Sequence, residues 1–314
     1  MGATESEVHV DLADVGVPRP LAVEELLALL RAAWRGEFSA ATRPGGYAEV
    51  SSPVAGSAGG GYAALESAPA GGRAADASAV ADPATAVAVV AAHAGAGAST
   101  VALAFAEALA AGGFPTRLVD CADPARSGLA AATTTELGVD EVGWRRGRRE
   151  SPGAVVHVDR LAGPVPGIDH TPPPPRPPTG TGAERVVVDV GWPARHVLGG
   201  RGWVAGLVRA GRVVLVCRAT VPGLRQTEHL LAGLTGIAGV EGVAVRPVVI
   251  AAVGPGRWPG AVRAGCGPAL RAARAAGLVV GVPTDRHLES HGLTADALPK
   301  PVAAAGRQLT ALLT

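Results

Sequence analysis

The stretch AVAVVAAHAGAGASTVALAFAEALAAGG, residues 86–113, decides how this sequence is read. It opens with a run of Val and Ala without polar alternation, 86–92, which suits a strand buried on both faces. A turn of small residues with Gly95 and Gly97 follows. From Ala98 the apolar residues recur at helical spacing until Gly112 and Gly113 stop the helix. A strand, a tight glycine loop and a helix N-terminus together present backbone N–H groups and the positive end of the helix dipole to a phosphate. Ser99 and Thr100 fall in the first helical turn, where a hydroxyl can hold Mg²⁺. The plainer alternative is that Gly and Ala only let strand and helix pack closely.

The same alternation continues outward. Further strands are expected at 116–120, 154–158, 185–190, 212–217, 247–253 and 277–282, with helices at 98–111, 194–209, 223–236, 260–275 and 301–313. Strands alternating with helices over residues 84–314 predict a doubly wound α/β domain with a mostly parallel sheet. Residues 163–182, GPVPGIDHTPPPPRPPTGTG, interrupt it and read as a long polyproline-like surface loop, better suited to a spacer than to a peptide ligand. Ahead of the domain, residues 1–36 form a tail with one amphipathic helix over 20–36. Residues 37–83 are Gly/Ala/Ser-rich and read as a flexible linker.

Composition narrows the functions. Lys+Arg 28 against Asp+Glu 27 gives a net charge of +1, which disfavours a strongly basic nucleic-acid binder. Aromatics are 3% of a chain of 314 residues, so the core is built from Ala, Val and Leu. Lysine occurs once, at Lys300, and every other Lys/Arg position is arginine. The cysteines, Cys121, Cys217 and Cys266, are far apart and form neither a disulfide framework nor a zinc site, which fits a reducing cytoplasm. There is no signal-peptide pattern and no uninterrupted apolar span. Stable membrane insertion is not expected.

A dinucleotide fingerprint fits the loop less well than a phosphate loop does, because Thr100 stands where the third glycine belongs and the Ser-Thr pair has no role there. With the later segments added, the chain resembles the MinD/ParA family of deviant P-loop ATPases over residues 84–314. HAGAGAST is similar to the family's KGGxGKT[ST] loop. LVDCADP (118–124) resembles its acidic motif and RVVVDVGWP (185–193) its Walker B strand. RVVLVCRATVPGLRQTEHLLAGL (212–234) and GVPTDRHLESHGLTADALPKPVAAAGRQL (281–309) are similar to its later strand–helix segments. The resemblance implies ATP or ADP with Mg²⁺. His93, Gly95, Ala96, Gly97, Ala98, Ser99 and Thr100 would surround the phosphates, with Pro283 and Asp285 on the base side. Ser99 and Asp189 would serve Mg²⁺, and Asp120 or Asp123 would stand near an attacking water. It also implies protein partners and a homodimer.

The departures matter as much. His93 stands at the signature lysine position and Ala98 at the P-loop lysine position. Asp120 and Asp123 are three apart where the family has two carboxylates two apart. A lysine–phosphate contact contributes about 1.5–3 kcal/mol, so its loss weakens nucleotide binding roughly 10- to 150-fold. Arg126 and Arg218 are the arginines placed to compensate. The lysine-lacking pilus-assembly and septum-site localisation branch is the most similar. The expectation is a localisation, partition or secretion-system accessory factor that binds nucleotide weakly and hydrolyses it slowly or not at all. The alternative is a nucleotide-independent scaffold.

Two further clusters stand apart. WRRGRR, Trp144–Arg149, is expected in a loop, as a solvated run or as a non-specific DNA contact through Arg145–Arg149. DRHLESH (285–291) spaces His287 and His291 one helical turn apart, a weak zinc pattern without a third ligand.

Overall fold

The computed structural model describes residues 85–176, 184–210, 212–238 and 248–314. The tail, its helix and the linker, expected at 1–36 and 37–83, lie outside the described residues, as does the second part of the Pro-rich segment.

The described strands are β1 (Ala86–Ala91), β2 (Thr116–Asp120), β3 (Thr135–Val139), β4 (Trp144–Ser151), β5 (Ala154–Leu161), β6 (Arg185–Asp189), β7 (Arg212–Arg218), β8 (Val248–Gly254) and β9 (Val279–Pro283). They form one sheet in the order β3-β4-β5-β2-β6-β1-β7-β8-β9. The pairings from β5 to β9 are all parallel, whereas β4 is antiparallel to both β3 and β5. This is the doubly wound α/β architecture expected from the strand–helix alternation.

Both faces of the sheet are covered, as its unbroken apolar strands require. One face carries α1 (Ala98–Ala111) and α8 (Lys300–Leu313); Val87 and Val89 pack there with Leu103, Phe105, Val302 and Leu309. The opposite face carries α2 (Ala194–Gly199), α3 (Trp203–Ala210), α4 (Val221–Ala238), α5 (Gly260–Ala264) and α6 (Pro268–Ala275). There Ala86, Ala88 and Val90 meet Val197, Leu207, Leu224 and Leu270. α1 and α8 approach so closely that a Cβ on Gly306 would fall 2.0 Å from the Ala104 carbonyl oxygen.

Three expectations need correction. The Trp144–Arg149 run is β4 and not a loop, and with β3 it extends the sheet as an antiparallel edge. The single helix expected at 194–209 is two, α2 and α3. The break falls at Gly200 (φ −76, ψ 161), whose missing side chain lets Asp169 approach. Asp169 Oδ1 accepts from the N–H groups of Arg201 (2.7 Å) and Gly202 (3.0 Å), so the break is hydrogen-bonded. The helix expected at 260–275 divides likewise, because Gly267 is extended and Pro268 starts α6. Glu228 from α4 caps α6, accepting from Ala269 N–H (2.6 Å) and Leu270 N–H (3.0 Å).

The Pro-rich loop is pinned rather than free over its described part. A 3-10 turn at Ile168–His170 buries Ile168. The carbonyls of Pro172 and Pro173 accept from the indole N–H groups of Trp203 (2.7 Å) and Trp144 (2.8 Å). Finally, DRHLESH is mostly a short helix, α7 (Arg286–His291), capped by Asp285.

Candidate functional site

The glycine loop lies where the sheet changes direction of winding. β1 leads into α1 on one face, and its neighbour β7 leads into α4 on the other. Ligands of open α/β sheets bind in the crevice outside the strand C-termini at such a switch point.

Within the loop, Gly95 (φ 70) and Gly97 (φ 93) both take the left-handed conformation that glycine adopts without penalty. Gly97 is the N-cap of α1. It offers no side chain to the helix, and the first turn has no acidic residue. The first intrahelical bond is from Val101 N–H to Gly97 O (3.1 Å), which leaves the N–H groups of Ala98, Ser99 and Thr100 without an acceptor among the described residues. Ala96 is buried and its N–H turns back to His93 O (3.2 Å), closing the loop. Gly97 also leaves room for Val253, since a Cβ there would lie 3.3 Å from Val253 Cγ2.

Beside the loop stand two buried carboxylates. Asp120 ends β2 and Asp189 ends β6, and the two are register partners in the parallel pairing. Asp120 is satisfied: Oδ1 accepts from Ala122 N–H (2.9 Å) and Oδ2 from the Ser127 hydroxyl. Burial pushes its pKa up to about 6 despite those bonds and the Arg160 charge. Asp189 is 1 % exposed, and neither of its oxygens has a hydrogen-bond donor in good geometry. Burial first, and then the Asp120 charge, push it up to about 7; the Ser99 hydroxyl and Gly191 N–H side oppose that shift only partly.

The expected residues do not all come together. Gly95, Ala96, Gly97, Ala98, Ser99 and Thr100 form one continuous turn into α1, with Asp189 next to Ser99. His93 is turned back into the protein: its Nδ1 donates to Ala94 O (2.9 Å) and its Nε2 accepts from Arg218 N–H (3.1 Å). Both ring nitrogens are thereby occupied at the end of β7. Asp123 uses Oδ1 to accept from Ala125 N–H (2.9 Å), within its own loop. Pro283 closes β9 on the far side of β8, paired with Gly254. Asp285 Oδ1 caps α7 through His287 N–H (2.9 Å) and Leu288 N–H (3.1 Å).

The arginine run divides between the interior and the surface. Arg149 is 1 % exposed; it pairs with Glu107 (2.5 Å) and donates to Ala132 O (2.7 Å), Thr294 O (2.6 Å) and Asp296 O (2.5 Å). Arg146 pairs with Asp140 (2.8 Å) and Arg148 with Glu150 (2.6 Å). Only Arg145 of the four is exposed without an ion-pair partner among the described residues. The run is therefore solvated at Arg145 and in part at Arg146 and Arg148, and buried at Arg149. His287 and His291 stack, ring centroids 4.4 Å apart. Among the described residues no group of three or more His, Cys, Asp or Glu is placed to hold a metal ion, and no helix is long and apolar enough to cross a membrane.

Three glycine-dependent contacts around the site escaped sequence reasoning. A Cβ on Gly128 would fall 2.6 Å from Ser99 Oγ, so the loop after β2 rests on the first turn of α1. Gly191 (φ 65) passes the loop after β2 so closely that a Cβ would fall 2.5 Å from Ala122 Cα. Gly223 similarly leaves room for His93 Nε2, 3.0 Å from a Cβ placed there. The spacing Asp189-x-Gly191 is a usable signal in hindsight; nothing local marks Gly128 or Gly223.

No protein-family model and no curated protein matches the sequence. Among solved structures, the chain is similar to the MinC:MinD cell division protein complex of Aquifex aeolicus, with a TM-score of 0.45 and 12% identity over 72% of this chain and 96% of that one. It is similar to a putative plasmid partition protein of Borrelia burgdorferi bound to AMPPNP, with a TM-score of 0.43 and 10% identity over 73% and 98% of the two chains. It is also similar to pNOB8 ParA, with a TM-score of 0.44 and 12% identity over 72% and 89%.

Proposed function

We propose that the chain is a MinD/ParA-like localisation, partition or assembly factor that binds ATP or ADP with Mg²⁺ weakly at residues 93–100 and hydrolyses it slowly or not at all. The observation that carries this reading is the uncapped N-terminus of α1, with three N–H groups unpartnered among the described residues, set beside a buried carboxylate to which no donor there is well aligned. An anion satisfies the first, and a cation held by that anion satisfies the second. The residues present fit both groups.

The backbone N–H groups of Ala98, Ser99 and Thr100 orient phosphate oxygens, and the helix dipole favours their charge. Mg²⁺, when bound, neutralises phosphate oxygens and ties them to the protein. Ser99 Oγ and the Asp189 carboxylate are the groups that would hold it. Gly128 against Ser99 keeps that hydroxyl in place.

Turnover is slow because the acids near the site are spent on structure. Asp120 accepts from Ala122 and Ser127 through both oxygens, and Asp123 Oδ1 from Ala125 within its own loop, which leaves each carboxylate fewer lone pairs for a water. No lysine stabilises charge developing in the transition state.

The chemistry is tested by calorimetric titration with Mg-ADP and Mg-ATP, with Ala98→Lys and Gly97→Val alongside. Micromolar to millimolar binding that tightens in the first variant and vanishes in the second supports the reading. No heat at millimolar nucleotide in the unaltered chain and in Ala98→Lys overturns it. That result favours a nucleotide-independent scaffold, a reading supported by the engagement of both His93 ring nitrogens within the protein.

A further inference from the structure

The glycine loop carries no cation, and two arginines reach the rim of the site. Arg218 ends β7 and gives Nη2 to Glu289 (3.0 Å), so a carboxylate already meets its charge. Arg126 is different. It is exposed, and its guanidinium meets no carboxylate among the described residues. Its Nη2 donates to a neutral acceptor, Gly191 O (3.1 Å), and its guanidinium carbon lies 5.8 Å from the centroid of the Trp192 ring.

Its contacts tie that guanidinium to the segment that follows β6. Gly191 follows Asp189 by two residues, and Trp192 is fixed by its indole N–H on Cys121 O (2.8 Å). The segment carrying Arg126 starts from Asp120 and returns at Gly128, which packs on Ser99. The side chain thus sits between the ends of β2 and β6, on a segment that touches the first turn of α1. A guanidinium resting on a carbonyl and an aromatic face loses little when it exchanges the carbonyl for a charged oxygen.

We propose that Arg126 supplies, from within the same chain, the positive charge that the loop lacks, leaving Gly191 O for a phosphate oxygen when nucleotide binds. This inference rests on the nucleotide-binding reading above. Arginine suits the task because its planar fork meets two phosphate oxygens at once and it stays charged at any relevant pH.

The test is a calorimetric Mg-ADP titration of the full chain as Arg126→Ala, Arg126→Lys, Arg218→Ala and Arg126→Ala combined with Ala98→Lys, with melting temperatures measured for each. Losing a charge-assisted phosphate contact should weaken binding roughly 10-fold or more in Arg126→Ala. Arg126→Lys should recover part of that loss, and Arg218→Ala should stay near the unaltered chain. In the Ala98→Lys background the Arg126→Ala penalty should shrink, because the lysine supplies the same charge; a purely structural role would not be rescued in this way. If Arg126→Ala binds like the unaltered chain while Gly97→Val abolishes binding, the nucleotide site stands and the role of Arg126 is overturned. An equal loss in both backgrounds with a lowered melting temperature also overturns it. No binding in the unaltered chain or in Ala98→Lys overturns both readings together.

Discussion

Asp120 and Asp189 face each other across the parallel pair β2 and β6, each at most 1 % exposed, at the ends of strands that flank the glycine loop. Their environments differ in one respect. Asp120 is paid its hydrogen bonds by Ala122 and Ser127, whereas Asp189 has no donor in good geometry. Burial, and at Asp189 also the Asp120 charge, favours the protonated form, pushing Asp120 up to about 6 and Asp189 up to about 7.

The sign of the pH effect follows. A carboxyl whose folded pKa lies above its unfolded value binds more protons when folded, so stability falls as pH rises from the unfolded value through the folded one. Without nucleotide, the melting temperature should decline between about pH 4 and pH 7 on account of this pair. Asp189→Asn, which removes the buried charge, should gain about 1–3 kcal/mol at pH 8, on the order of 5 °C in melting temperature. Thermal melts at pH 5 and pH 8 check this. A variant less stable than the parent at pH 8 contradicts it.

Mg²⁺ should bind only with the acid ionised. Ser99→Ala removes the hydroxyl beside Asp189 and should weaken Mg-ADP binding roughly 10-fold, while leaving Mg-free ADP binding nearly unchanged. Titrations with Mg²⁺ and with EDTA separate the two. Equal losses under both conditions would place Ser99 in the packing against Gly128 rather than at a metal.

The loop glycines should differ in what they tolerate. Gly191→Ala forces a Cβ 2.5 Å from Ala122 Cα at φ 65. Overpacking and left-handed strain together should cost about 2–4 kcal/mol. Gly95→Ala at φ 70 meets nothing within 4 Å and should cost only about 1 kcal/mol. Urea denaturation of both variants checks the order.

Arg149 should act as a core residue. Arg149→Ala takes the guanidinium from Glu107, which keeps only the Ser151 hydroxyl, and from three carbonyls, and should destabilise by about 3–5 kcal/mol. Arg145→Ala, at an exposed position of the same strand, should stay within about 0.5 kcal/mol. Denaturation midpoints decide, and comparable effects would contradict the burial of Arg149.

The central strands were legible because an unbroken Val/Ala run has one stable use, a strand covered on both faces; β1, β2 and α1 lie where the sequence placed them. β3 and β4 were not legible. In β4, Trp144, Gly147 and Arg149 are the buried positions, and no hydrophobicity pattern marks an arginine as buried. Its partners, Glu107 and the carbonyls of Ala132, Thr294 and Asp296, come from distant segments.

The sequence alone determined the strand–loop–helix unit, since glycine spacing and apolar period are local properties, and it determined that the loop has no lysine. The tertiary structure decided what those residues meet. It brought Asp120 and Asp189 into register, turned His93 onto Arg218 N–H, folded Arg149 into the protein and set Arg126 against Gly191 O and Trp192 without a carboxylate among the described residues. These are relations between segments far apart in the chain, and only packing sets the distances over which charge and hydrogen bonding act.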